Sequence, residues 1–218
     1  MRQLLPALIT IFALSVSCGS EKKIDREVFE QVQQAHEVKR VSEADVYNEA
    51  LKWGNEISGE MQEQLMGTLQ KAMEEHGVAG AVEFCNVSAL PMLKDLGDKH
   101  GVSIRRVSND FRNPADKPNK EEQPLLEAYE YNEANKLKYS PNIQKSTDGK
   151  VLLYTKAITI PGKLCLNCHG EPGKDINAEV MDKINRLYPE DKATGHREGD
   201  LRGMWSIAMP QKAVVNRL

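Results

Sequence analysis

The chain is short of several things, and each shortage removes a class of explanation. Aromatic residues make up only 6% of its 218 residues, and nothing recurs at a fixed period, which argues against a solenoid or a propeller. Lys and Arg number 29 against 32 Asp and Glu, without a block of basic charge, so the footprint of a nucleic-acid-binding protein is missing. No apolar run reaches the length of about 20 residues that a helix needs to cross a hydrocarbon core of about 30 Å. Cysteine occurs four times, at 18, 85, 165 and 168. A globular part of about 175 residues buries roughly 70% of the surface its unfolded chain exposes and needs no disulfide to fold. The cysteines are therefore expected to serve chemistry.

The first of them closes an export signal. Residues 1–18 have a basic start at Arg2, an apolar run over 4–16 interrupted early by Pro6, and then small residues, the layout of a secretory signal and too short for a span. Leu14-Ser15-Val16-Ser17-Cys18-Gly19 has the form of a bacterial lipoprotein signal, in which the cysteine becomes the lipidated first residue. Ser15 stands where such signals usually carry leucine, and Ser15-Val16-Ser17 also satisfies the small-x-small rule for ordinary cleavage. Lipidation at Cys18 is favoured because a free exposed thiol is a liability in an oxidising compartment. Residues 19–43, polar and poor in aromatics, read as a flexible tether, and residues 44–218 as one domain. The expected location is the bacterial periplasm or outer surface, anchored through Cys18, with a soluble periplasmic form as the alternative.

Within the domain, Val46, Ala50, Trp53, Ile57, Met61, Leu65, Leu69 and Met73 step by three or four residues and predict a long amphipathic helix over 43–76, ended by Gly77. A second helix is expected over 78–99, kinked or interrupted at Pro91. Residues 102–107 read as a strand, 109–118 as a turn-rich stretch and 121–137 as a helix. A loop over 141–148 precedes the strongest strand, 150–160. A short helix over 177–187, a polar loop over 188–200 and a strand over 202–209 follow.

Cys165-Leu166-Asn167-Cys168-His169 carries the most information. Two cysteines two residues apart, followed at once by histidine, suit covalent haem attachment: each thiol adds to one vinyl group and the adjacent imidazole reaches the iron. A structural zinc site would need four ligands, and no second cysteine pair exists. A redox dithiol, as in a thiol-disulfide protein, leaves His169 without a role, and a disulfide across so short a loop is strained. Covalent haem is the favoured reading, and export agrees with it, because bacterial haem attachment takes place outside the cytoplasm.

A six-coordinate iron needs a second ligand. Cys85 is a candidate, on the apolar side of the second helix between Ala81 and Ala89, where small side chains leave room for a flat macrocycle; a buried free cysteine acting as a small hydrophobe is the plainer alternative. Met92, Met204, His100 and His196 compete. His100 looks like a helix end, and His196 like a solvated loop residue. Arg105, Arg106 and Arg112 are candidate partners for the haem propionates, since guanidinium binds carboxylate bidentately. Alternate residues of a strand face opposite ways, so one of Arg105 and Arg106 is expected to face the haem. Asp191 and Asp200 are expected to shape the polar loop.

Four stretches together resemble a family of c-type haem-binding domains with a PAS-like fold, found in bacteria as stand-alone exported proteins and as sensor modules of receptors. They are Ala81-Val82-Glu83-Phe84-Cys85; Arg105-Arg106-Val107-Ser108 with Arg112-Asn113-Pro114; the haem motif with Gly170; and Tyr188-Pro189-Glu190-Asp191-Lys192-Ala193-Thr194-Gly195 with Gly199-Asp200-Leu201-Arg202-Gly203. The resemblance implies an α+β fold: a PAS-like antiparallel sheet with flanking helices, preceded by a long N-terminal helix. It also implies that Cys85 is the distal ligand opposite His169. Met204 stands where the family tends to a small residue, which keeps it as a rival. The function expected is redox or gas sensing through one covalent haem c, with a redox partner or a small diatomic molecule as the partner. An electron carrier is the alternative. No enzyme is expected, because a protein ligand on both faces of the iron works against an open catalytic position.

Overall fold

A computed structural model describes Arg26 and residues 41–218. The expected signal over 1–18, the lipidation site Cys18 and residues 19–40 of the expected tether, apart from Arg26, lie outside the described residues. Val41–Leu218 forms one compact unit. Its first helix, α1 (Glu43–His100), opens on a capping box. The Ser42 hydroxyl accepts from the Asp45 amide, and the Asp45 carboxylate accepts from the Ser42 amide, both at 3.1 Å, satisfying two amides that no helical carbonyl can reach. The end expected for the tether is thus the cap of the helix.

A straight helix of 58 residues would be about 87 Å long at 1.5 Å per residue, far longer than the domain needs. The chain turns back instead at Gly77, whose φ of 69° and ψ of 177° lie outside helical space. Only glycine adopts that conformation without strain. Residues 43–76 and 78–100 then run back past each other, so that His100 meets Glu60 at 2.8 Å. Pro91 does not interrupt the second segment, contrary to expectation; Gly77 is the one non-helical residue within α1, and Pro91 lies exposed on its outer side.

The sheet contains β1 (Ser103–Val107), β2 (Asn142–Lys145), β3 (Val151–Thr159) and β4 (Leu201–Pro210) in the order β1-β4-β3-β2, antiparallel throughout. Between them lie a short 3-10 turn (Pro114–Asp116), α2 (Gln123–Ala134), α3 (Lys163–His169) and α4 (Ala178–Leu187); α5 (Gln211–Val215) follows β4. The domain is therefore α+β, with a four-stranded antiparallel sheet. β2 falls inside the stretch expected to be a loop. Its residues are polar except Ile143, the one it buries.

The period of two in each strand sorts side chains between the sheet's two faces. Ile104, Ile143, Leu152, Tyr154, Trp205, Ile207 and Met209 face α1 and form the main core with Val46, Ala50, Trp53, Ile57, Met61, Leu93 and Leu96. Val107, Met204 and Leu201 face the other way and pack against Leu126 and Tyr129 of α2.

Candidate functional site

Past Met61 the first segment of α1 continues with Leu65, Leu69 and Met73, but no sheet residue fills the space below them. Together with Ala81, Val82, Cys85 and Ala89 of the second segment, they wall a cleft of about 1230 Å³, open mouth included. Ile158 and Trp205 of the sheet and Cys165, Cys168 and His169 of α3 complete it. Cys85 and the whole motif triad therefore face one mostly apolar space.

His169 is prepared as a ligand. Its Nδ1 lies 2.7 Å from the Ala193 carbonyl, which can only accept, so that nitrogen carries the proton and Nε2 keeps a free lone pair. Burial pushes its pKa well below the ordinary 6.5, with Arg202 and Arg112 adding to the effect, and the ring stays neutral. Burial likewise pushes up the thiols of Cys85, Cys165 and Cys168. Raised thiols are the reverse of what a thiol-disulfide pair requires, since the thiolate is the nucleophile.

The loop that supplies Ala193 is docked on the motif. The amides of Gly195 and His196 donate to the carbonyls of Gly170 and His169 at 2.8 and 2.9 Å. Gly170 itself is boxed in at the end of α3, where a Cβ would sit 2.5 Å from the Asp175 Cβ and 2.7 Å from the Leu166 carbonyl. His196, expected to be solvated, instead stands edge-on to His169 with ring centroids 6.3 Å apart, its Nε2 buried without a partner. The docking of the Gly195-His196 backbone is the reason.

The arginines divide. Arg112 is buried in the cleft lining and bonded to the protein by two of its nitrogens: Nε donates to Asp191 at 2.9 Å, and Nη2 to the carbonyls of Cys168 and Ala193 at 2.6 and 3.4 Å. It latches α3 to the loop that orients His169. Asp191 also accepts from the Ala193 amide, so it shapes the loop as expected while holding Arg112. Asp200 accepts from the Arg197 amide. Arg105 points to the α2 side of β1, bonded to Glu122 and to the carbonyls of Ala115 and Lys117, and lies outside the cleft lining. Arg106, one residue on, lines the cleft and pairs with Asp116 at 3.2 Å.

Arg202 lines the cleft as well, and sequence reasoning did not single it out. The register of β3 against β4 slips between Ile158 and Thr159, which pair with Gly203 and Leu201, so Arg202 has no partner across the ladder. Such a bulge re-aims a side chain. Gly203, at φ 148°, is required beside it, because a Cβ there would meet the Val107 carbonyl at 2.3 Å. A basic residue next to glycine within an otherwise apolar strand was the available signal.

The rival ligands are placed elsewhere. Met204 is fully buried against Val107 and Leu126 on the α2 side of the sheet, and Met92 packs against the main core. His100 is hydrogen-bonded to Glu60. Among the described residues no three His, Cys, Asp or Glu side chains converge as they would around a zinc ion.

Comparison with curated proteins finds no match. The chain is similar in structure to the cyanobacterial heme-protein Tll0287, with a TM-score of 0.45 and 24% identity, over 70% of this chain and 96% of that one. The profile of the Tll0287-like family matches residues 21–210, and the chain belongs to the Tll0287-like family.

Proposed function

We propose that this is an exported, lipid-anchored c-type haem protein of PAS-like fold, carrying one haem and acting in redox or gas sensing. The observation that carries the reading is that Cys85, from one wall, and Cys165, Cys168 and His169, from the other, line the same cleft. The residues present fit the group. The walls are apolar and small beside Cys85, the His169 lone pair is free, and the buried Nε atoms of Arg106 and Arg202 lack acceptors. Tll0287, after which the family is named, is a heme-protein.

When bound, the haem would supply a one-electron iron couple. Cys165 and Cys168 would hold it by thioether bonds, His169 would bind one face and Cys85 the other. The loop carbonyl of Ala193 keeps the His169 ring in its ligating tautomer, and Arg112 keeps that carbonyl in place. No enzymatic role is proposed.

The test is the absorption spectrum of the purified exported protein with its pyridine haemochrome, repeated for Cys85→Ala and after carbon monoxide is added to the reduced protein. Covalent haem, an altered Soret band in the variant and a shift with carbon monoxide are expected. Absence of covalent haem overturns the reading, an unchanged Cys85→Ala spectrum removes Cys85 as ligand, and a reduced protein indifferent to carbon monoxide removes gas sensing. Cys18→Ala is expected to move the protein out of the membrane fraction.

A further inference from the structure

We infer that the cleft contains a carboxylate subsite formed by Arg202 and Arg106, which on the haem reading receives a propionate. Three guanidiniums crowd this region and two carboxylates answer them: Asp191 pairs with Arg112 and Asp116 with Arg106. Arg202 is left over. It is 6% exposed, and its Nη1 donates to two neutral oxygens, Ser108 Oγ at 3.0 Å and the Asp110 carbonyl at 2.9 Å. Among the described residues no carboxylate lies within ion-pair distance of it. Its Nε is buried without an acceptor, and so is the Nε of Arg106.

A buried cation with an unused donor is strongly unfavourable unless an anion completes it. Both guanidiniums line the same cleft, from adjacent strands, beside the apolar Trp205 and Ile158. The β4 bulge leaves Arg202 without a ladder partner and re-aims it toward that space. Arg112 also lines the cleft, but its Nε and Nη2 are already taken up by protein acceptors, and Arg105 lies outside the lining.

The subsite is tested with the full chain prepared without haem in a Cys165→Ala/Cys168→Ala background, which keeps binding reversible, titrated with haem and with haem dimethyl ester. The parent is expected to bind haem at least about ten-fold more tightly than the ester, the worth of one charge-assisted contact. Arg202→Gln is expected to abolish that preference while leaving ester affinity within about two-fold, and Arg202→Lys to retain part of it. Equal affinity of the parent for both ligands, or a preference that survives Arg202→Gln, overturns the subsite while leaving haem binding intact. Equal loss of both ligands, or failure of both Arg202 variants to fold, makes Arg202 a prop for the 108–110 loop and also overturns it. A parent that binds neither ligand fails the haem reading itself.

Discussion

The two ends of the folded-back helix α1 are made from the same kind of residue and are held in different ways. Near the cap, Ala50, Trp53, Ile57 and Met61 meet the sheet with no space left over: Gly54 is glycine because a Cβ there would sit 2.1 Å from the Tyr154 ring. Toward Gly77, Leu65, Leu69 and Met73 border the cleft. Around the cleft, polar bonds tie the walls to their neighbours. Arg112 ties α3 to the 191–193 loop, Arg202 ties β4 to the 108–110 loop, and Lys183 of α4 reaches Glu83 of α1 at 2.7 Å. An apolar stripe is one signal with two outcomes, and the polar residues around it decide which is realised.

Breaking the latch should have the largest effect. Arg112→Gln strands a buried Asp191 and two carbonyls, and about 3–5 kcal/mol of stability should be lost. Denaturant unfolding measures it; a loss below about 1 kcal/mol would mean that packing holds the cleft after all. Gly54→Ala overpacks the closed end and should cost about 1–3 kcal/mol, with no change in the spectrum of whatever the cleft holds.

The two ends should also fail at opposite extremes of pH in the haem-free protein. Burial pushes the Tyr154 phenol from 10.0 up to about 12, so the folded state stays neutral while the unfolded chain ionises. The stability linked to Tyr154 is full below pH 10 and is lost as pH rises toward about 12. His169 behaves inversely: held neutral when folded, it takes a proton on unfolding at its ordinary 6.5, so its contribution is full above that and falls as pH drops. Thermal melts across the pH range, with His169→Asn flattening only the acid limb, check the pair; an unchanged acid limb would detach it from His169. The smallest effect is expected for Leu69→Ala, under about 1 kcal/mol, because a half-buried cleft wall has little packing to lose. A cost like that of a core leucine would show that the haem-free cleft collapses.

Much of this was legible in the sequence. Spacing in α1, the break at Gly77 and the alternation of β1 and β3 follow from local periodicity, and the motif needed only to be read in order. Local signals failed where tertiary context decides. β2 has one apolar residue and exists as a strand only because β3 offers it an edge. Pro91 is tolerated because it lies on the exposed side of α1. The separation of Arg105 from Arg106 follows from strand alternation, but which of them meets the cleft depends on where α2 packs. Arg202 was hard to read because strand pairing sets the bulge that re-aims it, and Gly203 beside it was the one local sign. That His196 is docked depends on backbone bonds between 169–170 and 195–196 that lie outside any local pattern.

The position of β4 bears on how the protein is made. β4, the last of the four described strands in chain order, is inserted between β1 and β3 rather than added at an edge. A nascent chain that stops short of residue 201 has lost the middle of its sheet, so β1 has no neighbour and Arg106 has no Trp205 across from it. The cysteines of α3 leave the ribosome before the strand that closes the cleft over them. The thiols thus precede the strand that completes the sheet.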